Sequence, residues 1–140
     1  MSSPEEGHAL PKSADATLAA ARAAASRGDF AASAKLLRHL LEYAPEHGEA
    51  CFGLALMCQK MGLVDEAERW YVRTVELRPA DAAAMYNLGV VRQAQNRPAE
   101  AALAYERAVD LAPGLHQAHC NLGNLHLADG ELRQALASYR

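Results

Sequence analysis

Three prolines keep a fixed interval in this chain: Pro45, Pro79 and Pro113 stand 34 residues apart. Three more columns hold the same register. They are Gly28, Gly62, Asn96 and Gly130; Ala21, Ala55, Gly89 and Gly123; and Ser33, Ala67, Ala101 and Ala135. A recurrence of this length means repeated supersecondary units that stack and share a core, because one such unit cannot bury its apolar face alone. The register sets out three full units, 14–47, 48–81 and 82–115, and a partial fourth, 116–140. Residues 1–13, with Pro4, Gly7 and Pro11, lack periodicity and read as a flexible lead.

Each unit reads as two helices. Cys51, Leu54, Ala55 and Cys58 fall at i, i+3, i+4 and i+7, which is one face of a helix, and Met85, Leu88 and Gly89 repeat the pattern. The second helices carry Ala67, Tyr71, Thr74 and Leu77, then Ala101, Tyr105, Ala108 and Leu111. Between the two, Gly28, Gly62 and Gly130 suit the left-handed residue that ends a helix, and Asn96 is the best non-glycine substitute. Pro98 suits a first helical turn, and Asp29 is placed to cap its own second helix. The 51% hydrophobic residues include only 6% aromatics, and much of the rest is alanine, which favours helix. Within every hairpin the small residue of the first helix precedes that of the second by 12 positions, as a close crossing of helix axes requires.

The runs Tyr86-Asn87-Leu88-Gly89 with Ala101, Tyr105, Ala108 and Pro113, and Cys120-Asn121-Leu122-Gly123 with Ala135 and Tyr139, resemble the tetratricopeptide repeat. The first unit departs from that pattern, with Ala20-Ala21 for Leu-Gly and Leu37 for the aromatic. The resemblance, which extends to the repeat arrays of bacterial proteins of this family and of O-linked N-acetylglucosamine transferases, implies an all-α fold. That fold is a right-handed α-α superhelix of three full hairpins plus a partial fourth. It also implies a protein-interaction scaffold, not itself an enzyme, that takes a protein or extended peptide in a concave groove lined by the first helices.

The groove wall that the resemblance implies comprises Arg22, Phe52, Leu56, Gln59, Tyr86, Asn87, Val90, Gln93, Asn121 and Asn124. Asn87 and Asn121 are 34 apart and would stand as rungs of a carboxamide ladder able to pair with a peptide backbone, similar to the ladder of those transferases. The alternative is that these amides bond within their own scaffold. Chaperone-binding repeat domains grip a C-terminal carboxylate with lysines, asparagines and an arginine. This chain has Leu18, Arg22, Gly53, Ala83 and Asn87 in those places, so a carboxylate clamp is not expected.

Other chemistries find little support. A formal net charge of -3, with no Lys/Arg run, argues against nucleic acid as a partner. The acidic start lacks a secretory pattern and no apolar run is long enough to span a bilayer, so a cytoplasmic protein off the membrane is expected. Cys51, Cys58 and Cys120 are expected to be free thiols. His119 and His126 are seven apart, about 10 Å along a helix, too far to share one metal, and occupy the columns of Cys51 and Cys58; core or boundary packing is the expectation. His116 and Cys120 at i and i+4 lack further ligands, and no metal site or cofactor is expected. No phosphate loop, nucleophile elbow or HExxH motif is present, so no catalytic residue is assigned. Trp70 reads either as a packing residue against the neighbouring repeat or as a surface anchor. A second functional reading stays open: the repeat region of a larger enzyme of glycosyltransferase or sulfotransferase type.

Overall fold

The computed structural model describes residues 13–138, apart from the side chain of Ala135. The sequence readings on residues 1–12, Tyr139, Arg140 and the Ala135 side chain lie outside the described residues. Seven helices follow one another: α1 (Ala14–Ser26), α2 (Phe30–Tyr43), α3 (Gly48–Lys60), α4 (Val64–Leu77), α5 (Ala82–Ala94), α6 (Pro98–Leu111) and α7 (His116–Ser138). No strand occurs among the described residues, and no helix among them is long and apolar enough to cross a membrane. The chain divides into two compact units, one ending at Leu77 and the other beginning at Arg78.

The turn inside each hairpin is written three times in the same hydrogen bonds. Gly28, Gly62 and Asn96 take φ of 79°, 77° and 61°. Their own N–H groups reach back to Ala25, Gln59 and Gln93, and the next residues donate to the carbonyls of Ala24, Cys58 and Arg92 at 2.9, 2.8 and 2.9 Å. This is the Schellman ending, which satisfies carbonyls that the last helical turn leaves orphaned. The following starts are capped: Ser13, Asp29, His47 and Asp81 accept from the backbone N–H three residues on, and Pro98 occupies the first turn of α6.

In the first unit α1 packs on α2, α2 on α3, and α3 on α4, around Leu18, Leu37, Leu40, Leu54, Met57 and Tyr71. The small residues at the crossings, Ala21 with Ser33 and Ala55 with Ala67, are buried. In the second unit α5 packs on α6 and α6 on α7, around Ala101, Tyr105, Ala108 and Ala118. Gly89 is the tightest point. A methyl group there would lie 2.5 Å from Cε1 of Tyr105, so only glycine lets α5 and α6 approach this closely.

The fourth hairpin differs from expectation. α7 runs unbroken through Gly130, so the partial second hairpin arm is a continuation of the same helix. Glycine permits a left-handed turn but does not compel one. The turn forms where the returning helix has a packed surface to join, and helical hydrogen bonding continues where it has none. Two further readings fall with it. Gly123 meets no crossing partner, since nothing lies within 4 Å of a Cβ built there. His119 and His126 are exposed, unlike buried Cys51 and Cys58 in the same columns.

Candidate functional site

The sequence-derived groove residues fall into both units. In the first, α1 and α3 enclose a cavity of about 490 Å3 with an apolar lining that includes Leu18, Leu37, Phe52, Leu56 and Met57. Gly53 keeps its floor open: a Cβ there would already stand 3.2 Å from Cδ1 of Leu37. Arg22 and Glu49 also line the cavity, one from each helix, and form an ion pair with each other. Both side chains are largely solvated, so the pair adds little stability. Its effect is to place one charge of each sign at the mouth of an apolar pocket.

Phe52 stands edge-on to Tyr71, with centroids 5.9 Å apart and an interplanar angle of 72°. The Tyr71 hydroxyl donates to Oε1 of Gln59 at 2.6 Å, tying α4 to α3. Burial pushes the Tyr71 phenol well above its ordinary value, with the neighbouring Cys58 adding to the shift. Gln59 is thus engaged by the scaffold through its carbonyl oxygen.

The second unit repeats the device. Tyr86 packs tilted against Tyr105 at 5.8 Å, and the Tyr105 hydroxyl donates to Oε1 of Gln93 at 2.9 Å. Asn121 of α7 donates from Nδ2 to the Tyr105 hydroxyl at 3.3 Å and to that of Tyr86 at 3.5 Å. Burial raises the Tyr105 pKa, the Asn121 hydrogen bond opposes that shift, and Tyr86 adds to it. Val90 packs on the core of this unit, Asn87 is half-buried and Asn124 is exposed. The amide nitrogen of Asn121 thus faces two phenols of its own unit.

Three other groups lie apart from these residues. Arg38 of α2 pairs with Glu66 of α4, and its second nitrogen lies 3.9 Å from Sγ of Cys58. The hydrogen bond from Arg38 holds the Glu66 carboxyl below its usual range, and burial pushes the Cys58 thiol up, away from thiolate chemistry. Trp70 lines a 440 Å3 hollow with Leu41, Pro45 and Arg73, which places it against the preceding repeat. His119 Nε2 lies 2.8 Å from the Pro113 carbonyl oxygen, a bond to its own turn.

Three family models described as tetratricopeptide repeat match residues 18–73, 49–114 and 116–140. The chain belongs to the tetratricopeptide repeat family. Among solved structures it is similar to MamA at 20% identity, covering 88% of this chain and 72% of that one, with a TM-score of 0.81. It is similar to a mutant O-GlcNAc transferase of Thermobaculum terrenum at 29% identity and TM-score 0.73, covering 89% of this chain but 23% of the transferase. The type III secretion chaperone SycD of Yersinia enterocolitica, solved with a peptide of the translocator YopD, shares 16% identity over 82% of this chain and 93% of that one, at TM-score 0.79. No curated protein matches by sequence.

Within this repeat framework the structure brings Arg22, Phe52 and Leu56 together around one cavity, and Tyr86 with Asn121 around one buried phenol. It adds Leu18, Leu37, Gly53 and Met57, which sequence reasoning left out. Gly53 was open to discovery, since its counterpart in the third unit is Asn87, a full side chain. The amide-to-tyrosine bonds were also within reach: Gln59 to Tyr71 and Gln93 to Tyr105 are both 12 apart, the interval of the helix crossings.

Proposed function

We propose that this tetratricopeptide repeat protein is a protein-interaction scaffold, not itself an enzyme, which holds an extended peptide by inserting an apolar side chain between α1 and α3. The observation that supports this reading is the 490 Å3 cavity, whose lining includes Leu18, Leu37, Phe52, Leu56 and Met57. Its volume has room for a leucine-, methionine- or phenylalanine-sized anchor together with neighbouring peptide atoms, and apolar pockets with a few polar groups at the mouth are the usual form of such sites. Arg22 and Glu49 offer a donor and an acceptor to the peptide backbone on either side of the anchor. SycD, a relative in fold, was solved with a bound peptide, which is in keeping with a peptide ligand here. Within the second unit taken by itself, the half-buried Asn87 offers an amide to a peptide backbone, while Asn121 donates to Tyr86 and Tyr105.

The test is peptide selection from a random display library, followed by titration of the selected sequence against Leu56→Asp and Asn87→Ala. Leu56→Asp should weaken capture by tenfold or more with helicity retained. Equal affinity for wild type and the folded Leu56→Asp variant would refute the cavity as the anchor site.

A second reading is favoured by the 29% identity to the transferase, of which the chain spans 23%: the repeats form the substrate-presenting part of a larger glycosyltransferase-like enzyme. Reading the coding sequence beyond Arg140 tests it, a nucleotide-sugar-binding domain supporting it and a stop codon excluding it.

A further inference from the structure

The second helices of the first unit enclose a hollow that the peptide site proposed above leaves unused. It measures about 440 Å3 and is lined by Leu41 and Pro45 from α2 and the loop after it, and by Glu66, Arg69, Trp70 and Arg73 from α4. None of these residues lines the cavity between α1 and α3. Leu41, Pro45 and Trp70 supply its apolar surface, and the indole is only half-buried. The repeat does not demand that indole. The same column holds Leu36 one unit earlier and Ala104 one unit later, so the framework folds with an aliphatic or a small side chain there. An aromatic ring and arginines gathered at a surface hollow are the residue types on which partner recognition concentrates.

Charge decides the kind of partner. Glu66 is committed within the scaffold: it accepts from Arg38, and the Trp70 indole and the Arg69 charge reinforce the hold on its carboxyl. Arg69 and Arg73 stand at i and i+4 on α4, about 6 Å apart along the helix, where like charges repel. Arg73 donates to Glu76 at 3.3 Å, an exposed pair that adds little and leaves the other guanidinium donors in place. A carboxylate set between the two arginines removes their repulsion and accepts from both.

We propose that the hollow between α2 and α4 is a second docking site, which takes an acidic peptide segment: a leucine- or phenylalanine-sized side chain lies against Trp70 while a neighbouring carboxylate bridges Arg69 and Arg73. A basic segment meets two charges of its own sign, and a wholly apolar one leaves both arginines unpaired at its edge. The lining is separate from that of the cavity between α1 and α3, so both sites can be filled at once.

The test uses the full chain and a fluorescein-labelled synthetic peptide, Glu-Asp-Phe-Glu-Glu-Leu-Asp, followed by fluorescence anisotropy. Two control peptides keep the phenylalanine and leucine and carry glutamine or lysine in place of every acidic residue. The acidic peptide should bind saturably, at least tenfold tighter than either control, and more weakly as salt is raised. Trp70→Ala, and separately Arg69→Gln with Arg73→Gln, should each weaken it tenfold or more with helicity by circular dichroism retained, while Leu56→Asp should leave it unchanged. No saturable binding of the acidic peptide overturns the proposal, and so does equal affinity for the glutamine control. Wild-type affinity in the folded arginine variant or in folded Trp70→Ala overturns it too, since the peptide would then lie elsewhere. A tenfold loss in folded Leu56→Asp does the same by assigning the peptide to the cavity between α1 and α3, whereas failure of that cavity to capture any selected peptide leaves the anisotropy result standing.

Discussion

Two glycines in one sequence column should respond to the same substitution with opposite signs. Gly89 and Gly123 are 34 residues apart, each inside a helix. Replacing glycine by alanine in a helix interior gains about 1 kcal/mol, because the glycine backbone has more freedom to lose on folding. At Gly123 nothing lies within 4 Å of the new methyl, so that gain should appear almost whole. At Gly89 the methyl would stand 2.5, 2.7 and 3.0 Å from three ring carbons of Tyr105. Carbon atoms rest at about 3.5–4.0 Å, so the ring or the helix must yield by roughly 1 Å. Tyr105 is poorly placed to yield: it is fully buried, lies against Tyr86 and bonds Gln93 and Asn121. Overpacking of this kind costs about 1–3 kcal/mol, and each strained hydrogen bond adds about 1 kcal/mol. The clash outweighs the propensity gain, leaving Gly89→Ala about 2 kcal/mol less stable than wild type. With about 3 °C of Tm per kcal/mol for a chain of this size, Gly89→Ala should melt about 6 °C lower and Gly123→Ala about 3 °C higher. Thermal melts followed by circular dichroism decide the matter. If Gly89→Ala raises Tm as Gly123→Ala does, α5 and α6 do not cross at Gly89 and the packing argument fails.

Gly130→Ala should stabilise by about 1 kcal/mol in urea titration, since α7 is helical there. Gly62→Ala, at φ 77°, should destabilise by about 1–2 kcal/mol. Burial raises the pKa of Tyr71 and Tyr105 above the ordinary 10.0, so the folded state binds their protons more tightly than the unfolded chain does. The stability they contribute is full below that value and is lost as pH rises through the folded pKa values. Absorbance titration alongside circular dichroism should therefore show tyrosine ionisation continuing above pH 10 and accompanied by loss of helicity. Glu66 has the opposite sign: Arg38 depresses its pKa, so Arg38→Met should flatten the loss of stability as pH falls below 4.5, measured by urea midpoints across that range.

The period was the most legible property of the sequence, because the same physical demand recurs in each unit. A left-handed residue must follow each first helix, and a small residue must sit at each crossing, so Gly62 and Asn96, Gly89 and Ala101 declare themselves. Gly130 carries the same local signal without the turn. A helix folds back when it gains packing, and that gain is a tertiary quantity that no single column records. Asn121 shows the same limit at the candidate site. Its column proposes a peptide-facing amide, but its partners are set by Tyr86 and Tyr105, 35 and 16 residues away. The cavity between α1 and α3 was half legible. Arg22, Phe52 and Leu56 lie on the exposed side of their helices by phase, whereas Leu37 reaches the floor only because Gly53 has no side chain.

The division of the chain at Leu77 gives its one tryptophan a diagnostic use. Trp70 belongs wholly to the first unit, so its fluorescence follows the loss of that unit alone, while far-ultraviolet ellipticity follows every helix at once. Denaturation curves from the two signals superimpose if the hairpins melt as one cooperative block, and they separate by as much as the two halves differ in stability.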